Sequence, residues 1–84
     1  MRHARDQDLD RVEDLLVQLR SLPGLIEKKR GVFYRRGRAF LHFHEDPTGL
    51  YADVRIDAEF ERMRVTTKAE RRRLLSAARA AVRR

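Results

Sequence analysis

A two-layer α+β fold is what this chain predicts. It is an antiparallel β-meander of three to four strands, flanked in sequence by an N-terminal and a C-terminal helix (α-β-β-β-(β)-α). Three observations carry the expectation. Apolar residues recur at helical spacing between Leu9 and Leu22 and again between Leu74 and Val82. Between these segments, Gly31 to Ile56 alternates apolar and polar side chains, as half-buried strands do. Two turn signals, Arg36-Gly37 and Asp46-Pro47-Thr48-Gly49, divide that stretch into three runs.

In the first segment, Leu9, Val12, Leu15, Leu16, Leu19 and Leu22 form one stripe, which predicts a helix over about residues 8–21. Asp6 or Asp8 can accept from its first free N–H groups, and Asp10 adds favourable charge to the first turn. Pro23-Gly24 ends it, because proline disfavours helical geometry at the residue before it and cannot donate within a continuing helix. Val32–Arg35 is the first strand, and Leu25–Lys29 can extend it at a sheet edge. Arg36-Gly37 is a two-residue hairpin loop, which pairs Arg35 with Arg38, Tyr34 with Ala39, Phe33 with Phe40 and Val32 with Leu41. Ala39–His44 and Leu50–Ile56 follow as strands, and Phe60–Val65 is a weaker fourth. Thr67-Lys68-Ala69-Glu70 is a capping box that opens the last helix, about Lys68 to Val82.

Strict alternation sorts the sheet into two faces. Val32, Tyr34, Ala39, Leu41, Phe43, Leu50, Ala52, Val54 and Ile56 form the expected core face. Phe33, Arg35, Arg38, Phe40, His42, His44, Tyr51, Asp53 and Arg55 form the outer face, which two helices cannot also cover.

Eighty-four residues make one domain, here residues 1–84, with residues before the first helix expected as a short flexible tail. The absence of cysteine excludes disulfides and thiolate metal sites, and a small fold without staples suits a reducing cytoplasm. No apolar run approaches the roughly 20 residues of a spanning helix, so no membrane partner is expected. The polar N-terminus has no apolar segment of the secretory kind.

The net charge of +7 is unevenly placed. Residues 28–38 carry six basic side chains and no acid, residues 45–61 net −5 and residues 62–84 net +8. Two basic blocks thus flank an acidic one, and arginine greatly outnumbers lysine, which favours bidentate phosphate contacts. Arg35, Arg36, Arg38 and Arg55 on the sheet, with Arg72, Arg79 and Arg83 on the last helix, are the candidate nucleic-acid contacts. A genomic bias towards arginine codons and a solvated helix face are the competing explanations.

Phe33, Phe40 and Tyr51 beside arginines give an aromatic interaction face, suited to a homodimer, to another protein or to base stacking. His42 and His44, two apart on one strand, point their imidazoles the same way. With Asp53 as carboxylate they form a candidate metal or small-ligand site. A third nitrogen is missing, because His3 falls in the expected tail. No phosphate loop, nucleophile elbow or HExxH motif is present, no cofactor is called for, and an enzyme is the weaker class.

Leu22-Pro23-Gly24-Leu25, Gly31-Val32-Phe33, Gly37-Arg38-Ala39-Phe40 and His42-Phe43-His44 resemble the pattern of two groups of small bacterial proteins. One is the YjbR-like (MmcQ-type) group, and this resemblance implies a winged α+β fold and DNA binding. The other is a group of small "luciferase-domain" proteins of unknown role, with a similar LPG…GR.F.H.H order. The likeness covers about residues 19–56, and the chain is shorter than either pattern.

Overall fold

A computed structural model describes residues 1–84. The elements are β1 (Arg2–His3), α1 (Asp6–Asp10), α2 (Glu13–Arg20), β2 (Leu25–Lys29), β3 (Val32–Arg35), β4 (Arg38–Asp46), β5 (Gly49–Arg55), β6 (Phe60–Arg64) and α3 (Lys68–Val82). The α+β class and the flanking helices agree with the sequence pattern. One antiparallel sheet runs in the order β2-β3-β4-β5-β6, with β1 added beside β4. The helices cover one face, where seventeen buried apolar residues form a single core. None of the helices is long and apolar enough to cross a membrane.

The N-terminal helix is broken in two. Val12 leaves helical geometry (φ −121°, ψ 22°), while Leu9, Val12, Leu15, Leu16 and Leu19 are all buried. The break turns the short α1 so that Leu9 also reaches the core. The Asp8 carboxylate accepts from the Arg5 N–H at 2.9 Å at the start of α1. At the far end of the chain the Thr67–Glu70 capping box forms in both directions, with Glu70 N–H donating to Thr67 Oγ1 at 3.1 Å and Thr67 N–H donating to Glu70 Oε1 at 2.9 Å.

The β3–β4 turn has positive φ at both central residues, Arg36 (53°) and Gly37 (78°), the geometry of a type I′ hairpin. Arg35 pairs with Arg38 and Tyr34 with Ala39, as the turn dictates. The ladder then slips: Phe33 pairs with Leu41, and Phe40 is the extra residue of a β-bulge. The slip overturns part of the face sorting. Phe33 and Phe40 are 1 % and 2 % exposed and belong to the core, whereas Val32, Tyr34 and Ala39 are only partly covered. Leu41, Phe43, Leu50, Ala52 and Val54 are buried where alternation puts them.

Candidate functional site

Residues directly opposite one another in an antiparallel ladder share a face. Two rows therefore cross the outer surface of the sheet. One runs His3–His44–Tyr51–Arg64 over β1, β4, β5 and β6. The other runs His42–Asp53–Arg62 over β4, β5 and β6. His42 and His44 are neighbours on one strand, so the rows lie side by side and three imidazoles meet. Ring centroids are 4.9 Å apart for His3–His44 and for His42–His44, and 6.0 Å for His3–His42. One ring nitrogen from each residue can be chosen so that all three lie within 4.8 Å of one another.

His3 is there because β4 is long and β3 is short. Nine residues of β4 face four of β3, which leaves the far half of one β4 edge without a partner. Unpaired backbone groups beside a packed core are costly, and β1 satisfies them. Ala4 N–H donates to the Phe43 carbonyl at 3.1 Å, and Arg2 bridges Asp8 and Glu45, each at 3.1 Å. The expected tail is thus a paired strand, and it brings the nitrogen that the His42–His44 pair lacks.

The surroundings of His42 favour its neutral form. Burial, followed by the neighbouring His44, pushes the pKa of His42 below its ordinary value. Asp53 is 8 % exposed and is gripped by Arg62, with Nε at 2.8 Å and Nη2 at 2.9 Å. Those hydrogen bonds hold its carboxyl below the usual carboxylate range, against the opposing effect of burial. The other carboxylate contact is His44 Nε2, 3.1 Å from Asp53 Oδ2 but not aligned for a hydrogen bond. His42 Nδ1 and His44 Nε2 are buried nitrogens without hydrogen-bond partners. Asp53, expected as a ligand, is not among the three residues whose nitrogens cluster; its carboxylate is taken up by Arg62 beside His44.

A tetrahedral ion with nitrogens at roughly 2.0–2.1 Å holds them about 3.3 Å apart. The 4.8 Å limit of the cluster therefore calls for contraction by at most about 1.5 Å. A cavity of about 340 Å³ adjoins the cluster, walled by His3 and His42 together with Lys29, Val32, Tyr34 and Ala39 among others. Phe60 packs against His42, its ring edge-on at 5.0 Å, with the Arg55 guanidinium 4.3 Å above it.

The predicted nucleic-acid contacts lie elsewhere. Arg35 and Arg36 both donate to the Arg84 carbonyl, at 2.9 and 3.2 Å, so the hairpin turn abuts the end of α3 near Arg79 and Arg83. Arg35, Arg36, Arg38 and Arg55 line a shallow cleft of about 130 Å³. Arg72 sits eleven residues before Arg83 on α3, about 16 Å along the axis, next to Asp14 and Gln18. Arg55 also donates to the carbonyls of Ala39 and Ala58, at 2.9 and 2.8 Å. With Phe33 and Phe40 in the core, the aromatic interaction face reduces to Tyr51, whose hydroxyl meets Thr48 at 2.7 Å.

Pattern reading missed His3, Arg62 and Phe60. A two-residue strand has no periodicity to detect. The available signal was the excess length of β4 over β3, which demands a partner from elsewhere in the chain. No family model matches the chain, and neither curated proteins nor solved structures yield a match.

Proposed function

We propose that this domain binds a single transition-metal ion through His3, His42 and His44. The observation that carries the proposal is the third imidazole, held beside the other two by strand pairing. Three imidazoles without a thiolate suit zinc, iron, nickel or copper rather than calcium or magnesium. Three protein ligands leave a fourth position for water or another ligand, as in reactive sites, whereas structural zinc sites are closed by four. Asp53, fixed by Arg62, supports the reading as the carboxylate beside His44.

The test is a calorimetric titration of tag-free protein with zinc, paired with thermal unfolding. One equivalent of zinc should bind and raise the unfolding temperature, and His3→Ala should lose most of both effects. Zinc is preferred to copper(II), which nitrogen sites of many kinds bind more tightly. Uptake unchanged in His3→Ala would reject the site.

A second reading, binding of a nucleic acid, is favoured by a separate observation. Arg35, Arg36, Arg38, Arg55, Arg72, Arg79 and Arg83 form no ion pair. Ten of the thirteen acidic side chains pair with other arginines, namely Arg2, Arg20, Arg30, Arg62, Arg64, Arg71 and Arg84, and only Asp46, Glu59 and Glu61 are in no ion pair. The positive excess is thereby concentrated on the hairpin turn and α3, where it can meet phosphates. A fluorescence titration against short DNA and RNA at low ionic strength tests this reading, and binding insensitive to salt would count against it.

A further inference from the structure

A cavity lies beside the histidines. His3 and His42 belong both to the imidazole cluster and to the cavity wall, so an ion at the cluster borders the cavity. Apolar side chains supply most of the remaining wall, including Val32, Ala39 and Phe43. No aspartate or glutamate lines it. Of its two non-histidine cations, Arg30 is held by Asp6, Asp10 and Glu13, whereas Lys29 is in no ion pair. A chamber with an apolar wall, one uncommitted ammonium group and a Lewis acid at its side selects a ligand with an anionic oxygen donor and an apolar body. At about 340 Å³ it sits at the low end of small-molecule pockets, which run from roughly 300 to 1,000 Å³.

We infer that the cavity is the binding site of a small organic carboxylate, whose oxygen takes the fourth coordination position of the metal while its apolar part lies against Val32 and Ala39. The inference rests on the metal reading above. Binding is an exchange: the carboxylate displaces the metal-bound water, and no covalent bond is made or broken in the organic molecule. Lys29 sits where it can neutralise the bound anion.

Cobalt(II) in place of zinc makes both steps visible. Uptake of cobalt by the tag-free protein gives visible absorption that reports its nitrogen ligands, and benzoate should shift those bands saturably. Benzyl alcohol, with the same ring and no charge, should not. Acetate should bind about tenfold more weakly than benzoate, because it lacks the ring to bury. Ala39→Leu, which fills the cavity from a position that is not a ligand, should keep the cobalt spectrum and lose the benzoate response. Lys29→Met should weaken benzoate by roughly two- to fivefold, the worth of a partly exposed ion pair.

The outcomes separate the two proposals. Absence of cobalt uptake overturns the metal reading and this inference together. A cobalt spectrum that benzoate leaves unchanged overturns this inference alone. Acetate binding as tightly as benzoate, or an Ala39→Leu protein that responds like the parent, overturns the assignment of an apolar-bodied ligand to the cavity.

Discussion

The histidine corner and the arginine corner of this domain differ in how position is enforced. His3, His42 and His44 stand on paired strands, where the ladder fixes which side chains meet. Beside them lies a buried carboxylate held in a bidentate grip. Arg35, Arg36, Arg38, Arg79 and Arg83 stand on a turn and a helix end, on long side chains without acidic partners. The first region holds a defined geometry and suits a ligand that demands fixed angles. The second generates a field, which suits a ligand that presents many equivalent charges. Charge composition made the second region conspicuous in the sequence, while the first depended on a strand of two residues.

Removing an imidazole of the cluster gives the largest expected effect. His42→Ala should abolish the zinc-dependent rise in stability, which amounts to about 2.7 kcal/mol when free zinc is at 100 times its dissociation constant. Arg35→Gln/Arg36→Gln/Arg38→Gln should leave that rise intact, and a loss in the arginine variant would break the separation of the two regions. Asp53→Asn sharpens it, since loss of the negative charge 3.1 Å from His44 Nε2 should weaken zinc binding by about tenfold with the three nitrogens still in place. A calorimetric titration reads this directly. Arg79→Gln should lower the slope of log affinity against log salt for nucleic acid by about one unit. No change of slope would remove α3 from the contact surface.

The smallest expected effect is on the dependence of apo stability on pH. The folded pKa of His42 lies below its unfolded value, under the influence of burial, His44, His3 and Arg62 and against Asp53. The unfolded chain therefore takes up the proton more readily. Stability is full above about pH 6.5 and falls as the pH drops towards the folded value. Asp53, also lowered, keeps its contribution until the pH falls below the ordinary carboxylate value of 3.8. Urea unfolding at a series of pH values should show both windows, and His42→Gln should remove only the upper one.

Much of the fold was legible because turns and alternation are local. Arg36-Gly37, Asp46-Pro47-Thr48-Gly49 and the Thr67–Glu70 box each act within a few residues, and the elements they bound agree with the sequence pattern. The face of β3 was not legible, because Val32, Phe33 and Tyr34 are all apolar or aromatic, as are Phe40 and Leu41. Either parity satisfies such a pattern, and the bulge decides between them. His42, His44 and Asp53 were visible as a group because a period of two puts them on one face. The separation of a three-imidazole cluster from a carboxylate gripped by arginine was not, because it depends on Arg62 and His3, which long-range pairing brings in.

The bulge at Phe40 also works as a slip joint. On its turn side, the Arg35–Arg38 and Tyr34–Ala39 pairs are set by the hairpin; on its far side, His42 and His44 are set by β5 and β1. Between them the strand carries one residue more than its neighbour, so the alignment set by the turn gives way there to the alignment set by β5 and β1. The arginine-bearing tip can then vary in length or sequence while the histidines keep their alignment. One domain can thus evolve its charged tip and its imidazole cluster independently, although a single strand carries both.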